Sequence, residues 1–243
     1  PNGQVNLRTI DRLAFTLATL SHQGYEMVLV SSGAIGVGLA SLGLSQRPAE
    51  IARQQALASI GQTELMRIYS QRFLDYQSKV AQLLLTRDVL EYPVSRQHTL
   101  NTISTLLKDA VIPIINENDP VSVDELDHHT TFSDNDELSA QVATKINADL
   151  LIVLSDIDAF YTKDPHKYPD AQAIRHVAKM TPQLTAAASG SSTQFGTGGM
   201  VTKLRAAATI IQANRHMILC NGRDPKIIFK ILEGQQVGTL FGK

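Results

Sequence analysis

The sequence predicts an α/β fold in which a mainly parallel sheet is covered by helices on both faces. Two observations carry that prediction. Short apolar runs of strand length alternate along the chain with stretches of helical, 3.6-residue periodicity. The strand runs are apolar almost throughout, as strands buried on both faces are. A chain of 243 residues can bury one substantial core, about 70–75% of the surface it exposes when unfolded.

The elements follow in order. Asn6 is placed to cap a helix whose apolar positions Leu7, Ile10, Leu13, Ala14, Leu17 and Leu20 keep the helical period, and Gly24 to end it. Tyr25 to Ser31 reads as a buried strand. Helical pattern resumes from Ala34, and again from Pro48 to about Tyr76. Lys79 to Leu85 is a second strand and Ser95 to Lys108 another helix. Val111 to Ile115 is a third strand, although Pro113 has no N–H to donate and sits poorly in a central position. Glu137 to Ile146 reads as helix and Asp149 to Leu154 as the clearest buried strand. Phe160 to Met180 reads as loop and short hairpin. Met200 to Ala213 is helical, His216 to Cys220 a strand and Pro225 to Leu232 a last helix. There are no internal repeats or low-complexity linkers.

Composition narrows the function classes. Hydrophobic residues at 43% and charged residues at 19% describe an ordinary globular protein. A net charge of -1 supplies no basic field to collect nucleic acid or an anionic membrane, so any anionic ligand must be held by local geometry. The single cysteine, Cys220, lies in an apolar run and reads as an inert buried thiol in a reducing compartment. No apolar stretch approaches a membrane span and no signal peptide opens the chain, so the cytoplasm is expected.

In open α/β sheets, ligands bind beyond the carboxyl ends of the strands. Polar or glycine-rich segments fall at four such ends. Ser32-Gly33 follows the first strand, where backbone N–H groups at a helix start can meet an anion; a plain capped turn is the competing reading. Asn116-Glu117-Asn118-Asp119 follows the third and offers acceptors and amide donors suited to an ammonium group, or else is a solvated turn. Ser155-Asp156 and Asn221-Gly222 end two later strands. Asp134-Asn135-Asp136-Glu137 opens a helix, which N-capping explains in part; three acidic groups in four positions also suit the orientation of lysines or metal ions. The strongest signal is Gly196-Thr197-Gly198-Gly199-Met200-Val201-Thr202-Lys203. Its glycines free the backbone to curl around an anion, the helix behind them points its N-terminus there, and Lys203 lies about one turn inside that helix. A flexible loop with a surface lysine is the alternative. No Walker or dinucleotide fingerprint is present. Asp127-His128-His129 reads as solvated loop rather than metal site. The aromatic pair Phe160-Tyr161 could pack beside an adenine ring.

Taken in order, Ser32-Gly33-Ala34, Asn116 to Asp119, Asp134 to Asp136, Ser155-Asp156, Tyr161 to Pro165 and Gly196 to Lys203 resemble the amino acid kinase family over essentially the whole chain. The resemblance implies a single domain over 1–243, a three-layer αβα sandwich. It implies transfer of the γ-phosphoryl of ATP, with Mg²⁺, to the side-chain carboxylate of L-glutamate at the head of proline biosynthesis. On the same resemblance Ser32, Gly33, Asp119 and Asn135 bind glutamate. Ser155, Asp156 and Thr197, Gly198, Gly199, Met200, Val201, Thr202 and Lys203 bind the nucleotide. Asp136 holds catalytic lysines and Lys203 stabilises the transferring phosphoryl, with no protein metal ligands. A homo-oligomer, inhibition by proline near the glutamate site and a working link to glutamyl phosphate reductase are also implied. A first strand carrying Lys-x-Gly-Thr/Ser is expected ahead of Pro1, and no RNA-binding-like PUA domain after Lys243. Other acceptors of the family (acetylglutamate, aspartate, carbamate, UMP) and a non-catalytic nucleotide or amino-acid sensor remain the alternatives.

Overall fold

The computed structural model describes residues 5–122, 134–163, 165, 167–182, 184 and 199–243. The chain divides into two compact units, Pro1–Phe132 and Ser133–Lys243.

In the first unit, helices α1 (Leu7–His22), α2 (Ala34–Ser41), α3 (Ile51–Asp75), α4 (Arg87–Glu91) and α5 (Pro93–Lys108) accompany a three-stranded sheet. The strands are β1 (Leu29–Val30), β2 (Lys79–Leu85) and β3 (Val111–Glu117), in the order β1-β3-β2, all parallel. Asn6 caps α1 through Thr9 N–H at 3.2 Å, and Ala14, Leu17 and Leu20 of its apolar stripe are buried. Ile112 to Asn116 are all buried, and alternating side chains point to opposite faces, so β3 is covered on both.

Pro113 therefore does occupy the central strand, against the sequence expectation of a poor fit there. The ladder explains how. Ile115 O accepts Ser31 N–H at 2.8 Å, so odd-numbered residues of β3 turn their backbone groups toward β1. The β1 ladder begins only at Leu29 opposite Ile114. The missing N–H of Pro113 thus faces a stretch where β1 offers no strand partner. The shortness of β1 is itself a departure from the run predicted over 25–31.

Helix α3 is a central packing element of this unit. Its buried positions Ala58, Gln62, Leu65, Tyr69 and Phe73 recur at three- and four-residue intervals. Against α2 the two backbones touch: a Cβ on Gly61 would lie 1.8 Å from Ala34 O, and one on Gly38 would lie 2.0 Å from Leu57 O. Only glycine permits that approach.

In the second unit, α6 (Asn135–Lys145), α7 (Met200–Gln212) and α8 (Ile227–Leu232) pack with strands β4 (Leu150–Ser155), β7 (His176–Val177), β8 (His216–Asn221) and β9 (Thr239–Phe241). The order is β4-β8-β9-β7, with β4–β8 and β7–β9 parallel and β8–β9 antiparallel. The expected hairpin is β5 (Phe160–Tyr161) paired antiparallel with β6 (Ala173–Ile174). Phe160, Leu204, Ile210, Met217, Leu219 and Phe241 form the core here. Phe160 is 1% exposed and its ring lies 6.3 Å from that of Phe241, so it is a core residue and cannot stack on a nucleobase. Cys220 is buried and free, and burial pushes its thiol up to about 11, which leaves it inert as expected. No helix among the described residues is long and apolar enough to cross a membrane.

Candidate functional site

Two polar clusters form at strand ends, one in each unit. In the first unit, β1 runs into Ser31, which is buried and anchored by its N–H to Ile115 O and by its hydroxyl to Tyr69 Oη at 3.1 Å. Ser32 and Gly33 follow, both exposed, at the start of α2. Gly33 has φ +91°, and no side chain caps the helix. The first N–H groups of α2 are therefore left for solvent or an anion.

The end of β3 and the loop after it lie alongside; Asn116 and Glu117, expected to follow the strand, are its last two residues, paired with Leu84 and Leu85 of β2. Asn116 is 2% exposed; its Oδ1 accepts Glu117 N–H at 2.9 Å and its Nδ2 donates to Gln62 Oε1 at 2.8 Å. Asn118 N–H bonds Leu85 O, and the Ser122 hydroxyl donates to Glu117 Oε1. Asp119 is held in a cleft of about 210 Å³ that Gln62, Gln82 and Glu117 also line. Burial raises its pKa above the ordinary aspartate value, and the Arg47 guanidinium offsets part of that rise. A half-desolvated carboxylate of this kind suits an ammonium ligand. Arg47, Gln62 and Tyr69 were not singled out from the sequence; the last two look like ordinary positions on a core helix.

In the second unit, Asp134 caps α6 by accepting Glu137 N–H at 3.0 Å. Asp136 is the second residue of α6 and accepts the Lys203 ammonium at 3.0 Å and the Thr202 hydroxyl at 3.1 Å. The Lys203 and Asp136 side chains are only 13% and 17% exposed. Residues 67 apart in sequence are thus joined by an ion pair between the first turns of α6 and α7. Thr202 Oγ1 also lies 2.7 Å from Gly199 O, so its one proton is shared between that carbonyl and Asp136; among the described residues Asp134 Oδ2 is buried without a hydrogen bond. Asn135 Oδ1 is in the same condition. Burial raises the pKa of Asp134; the Thr202 hydroxyl and Glu137 N–H oppose the rise, Asp136 adds to it and Lys203 opposes it. Two unpartnered buried oxygens at a helix start are a costly arrangement unless a ligand donates to them.

Gly199 precedes α7 in extended conformation without a side-chain cap. The side chains of Met200 and Val201 pack against the core, so what they can offer a ligand is backbone N–H. Thr197 and Gly198, with Asp127, His128 and His129, lie outside the described residues. Ser155 and Asn221 pair across β4 and β8. Beyond them Ser155 Oγ donates to Asp156 Oδ1 at 3.1 Å, Gly222 N–H bonds Ser155 O, and Asn221 Nδ2 donates to Asp158 Oδ1. A Cβ on Gly222 would stand 2.8 Å from Leu154 Cβ, so glycine keeps this strand end closed. Among the described residues, no group of three or more His, Cys, Asp or Glu is arranged to hold a metal ion.

The sequence pattern of the amino acid kinase family matches residues 2–221. The chain belongs to the amino acid kinase family. Among curated proteins, glutamate 5-kinase of Lactiplantibacillus plantarum is 59% identical over 242 residues, covering 100% of this chain and 91% of that one. Glutamate 5-kinase of Enterococcus faecalis is 54% identical over 243 residues, covering 100% and 90%. Among solved structures, the isopentenyl phosphate kinase of T. acidophilum in its product complex has a TM-score of 0.63 at 14% identity, over 99% of this chain and 92% of that one. Carbamate kinase from Giardia lamblia bound to AMP-PNP has a TM-score of 0.64 at 18% identity, over 98% and 90%. These structural likenesses establish the fold, a mixed α/β architecture with mainly parallel strand pairing.

Proposed function

We propose that this family member transfers the γ-phosphoryl of ATP to the side-chain carboxylate of L-glutamate, giving glutamyl 5-phosphate, the opening step of proline biosynthesis. The observation that carries the reading is full-length identity of 54–59% to glutamate 5-kinases of two bacteria. The polar clusters have the matching chemistry. A glutamate side chain with pKa about 4.3 is already ionised at neutral pH, so no general base is required. The task is alignment, and relief of repulsion between a carboxylate and a polyphosphate.

In this reading Asp119 and Asn135 belong to the glutamate-binding residues, Asp119 as an acceptor suited to an ammonium group, and Ser32 with the N–H groups after Gly33 receives a carboxylate. Ser155, Asp156 and the segment from Thr197 to Thr202 hold the nucleotide. Lys203, fixed by Asp136, meets the charge that develops on the transferring phosphoryl. The single domain over 1–243 belongs to the same proposal. Magnesium would arrive with the nucleotide, since this hard cation favours phosphate, water and one or two carboxylates. In keeping with the expectation of no protein metal ligands, phosphate oxygens and water would hold it, with the partly buried Asp134 and Asp136 carboxylates as acidic groups of the second unit close to Lys203. Bound with the nucleotide, the cation would supply positive charge against the phosphates. A homo-oligomer, feedback by proline and hand-over of the labile product to glutamyl phosphate reductase complete the proposal.

The test is hydroxylamine trapping of the acyl phosphate across a panel of acceptors. Glutamate is expected to give hydroxamate with ATP, and acetylglutamate, aspartate, carbamate and UMP to give little product. ATP binding without product from any acceptor would replace the kinase reading with that of a sensor.

A further inference from the structure

Helix α3 touches both first-unit segments that lead into residues the proposed function assigns to glutamate, and does so with buried polar side chains that no catalytic step requires. Glu117 N–H is an unambiguous donor, and it points at Asn116 Oδ1. That fixes which end of the Asn116 amide is Nδ2, and Nδ2 donates to Gln62 Oε1 at 2.8 Å. Gln62 is 8% exposed, and it also lines the cleft that holds Asp119. Two turns further along the same stripe, the Tyr69 hydroxyl meets Ser31 Oγ at 3.1 Å, with both residues buried. Between these anchors and α2, Gly61 brings the α3 backbone against Ala34 O, the first residue after Gly33.

We infer that α3 is a brace for acceptor binding, with Gln62 and Tyr69 as positioning residues. Gln62 sets the amide of Asn116 and through it the path of the chain into Asp119. Tyr69 sets Ser31 and through it the presentation of Ser32 and Gly33. A buried polar pair is a poor way to gain stability alone, because an apolar pair of the same shape serves as well. What it adds is one defined orientation for each loop. The two anchors act on the acceptor loops of the first unit and touch none of the nucleotide residues.

The inference rests on the proposed glutamate reading, and the experiment separates the two. Wild type, Gln62→Met and Tyr69→Phe are assayed as the full chain, by hydroxamate formation, with glutamate and ATP each varied. Each variant is expected to raise the glutamate KM about five- to tenfold, the effect of one lost neutral hydrogen bond transmitted to binding, while the ATP KM stays within about twofold. The fraction folded, read by circular dichroism, stays at the wild-type level. If Gln62→Met fails to fold, Tyr69→Phe carries the test, since it deletes a single oxygen. A purely structural role would lower kcat through the active fraction and leave both KM values alone; that result overturns the brace. Wild type that makes no glutamyl hydroxamate overturns the glutamate reading instead.

Discussion

At the scale of single residues, Lys203 and Asp136 tie binding chemistry to folding. Their side chains are largely buried and 3.0 Å apart, so removing the lysine leaves Asp136 a half-desolvated anion whose remaining side-chain donor among the described residues is Thr202, a hydroxyl it shares with Gly199 O. Lys203→Ala is expected to lower kcat about 10²–10³-fold, the usual loss when one donor to a developing charge is removed. Its stability cost should be about 1–3 kcal/mol, less than for a fully buried pair because 13% and 17% of the side chains remain exposed. Steady-state kinetics with denaturant unfolding on the same sample checks both, and near-normal turnover refutes the role. Asp119 points the other way. Its folded pKa lies above the ordinary value because of burial, so ionised Asp119 opposes folding. That penalty is present at neutral pH and is relieved as pH falls through the raised folded pKa, where the native state binds more protons than the unfolded one. Asp119→Asn should therefore be more stable than wild type at pH 7, with the gap closing on acidification, yet lose glutamate binding. Thermal melts across pH, paired with a glutamate titration, test it; an equally stable variant at pH 7 would mean the carboxylate carries no penalty.

Elements were read from sequence where pattern and length agree, and missed where tertiary contacts decide. The 25-residue α3 and the strands 79–85, 111–117 and 150–155 were legible because apolar periodicity is local. The strand predicted over 25–31 shrank to Leu29–Val30, and α4, β7 and β9 went unread; β9 exists because β8 and β7 flank it, a fact of topology. The candidate site was legible at its loops, where glycine and acidic clusters stand out. It was not legible on α3, where Gln62 and Tyr69 fall on a core stripe and only the fold reveals their partners. Glycines give the matching lesson, since sequence does not distinguish Gly36 from Gly38 or Gly61. Gly36 has nothing within 4 Å of a built Cβ, whereas Gly61 would drive one to 1.8 Å from Ala34 O and 2.6 Å from Gly38 N, all backbone that cannot step aside. Gly61→Ala should cost about 3 kcal/mol or more, at or beyond the usual overpacking range, whereas Gly36→Ala should gain about 0.5–1 kcal/mol from helix propensity. Denaturant midpoints of the two variants decide the matter; equal effects would show that α2 and α3 do not meet as closely as described.

For the whole molecule, the proposed reading assigns most of the glutamate residues to the first unit and the nucleotide residues to the second, with Asn135 as the second unit's glutamate residue. Residues 1–132 contain the acceptor loops and α3; residues 133–243 contain Asp136, Lys203 and the strand end at Ser155-Asp156. Each unit has its own sheet and its own buried apolar residues. Ligand binding stabilises the native state by mass action, about 2.7 kcal/mol at a hundredfold excess over Kd. Amides that exchange by local opening feel that stabilisation only where the opening breaks the bound site. Saturating glutamate should therefore slow hydrogen exchange in the first turns of α2, in α3 around Gln62, at the end of β3 and at Asn135 where α6 begins. A non-hydrolysable ATP analogue should slow it instead at the start of α7 and at the ends of β4 and β8. Peptide-resolved exchange with each ligand alone reads the two patterns directly. Glutamate protection spread evenly over both units, well beyond Asn135 in the second, would mean that binding tightens the molecule as one body, and the assignment of residues to ligands would fall.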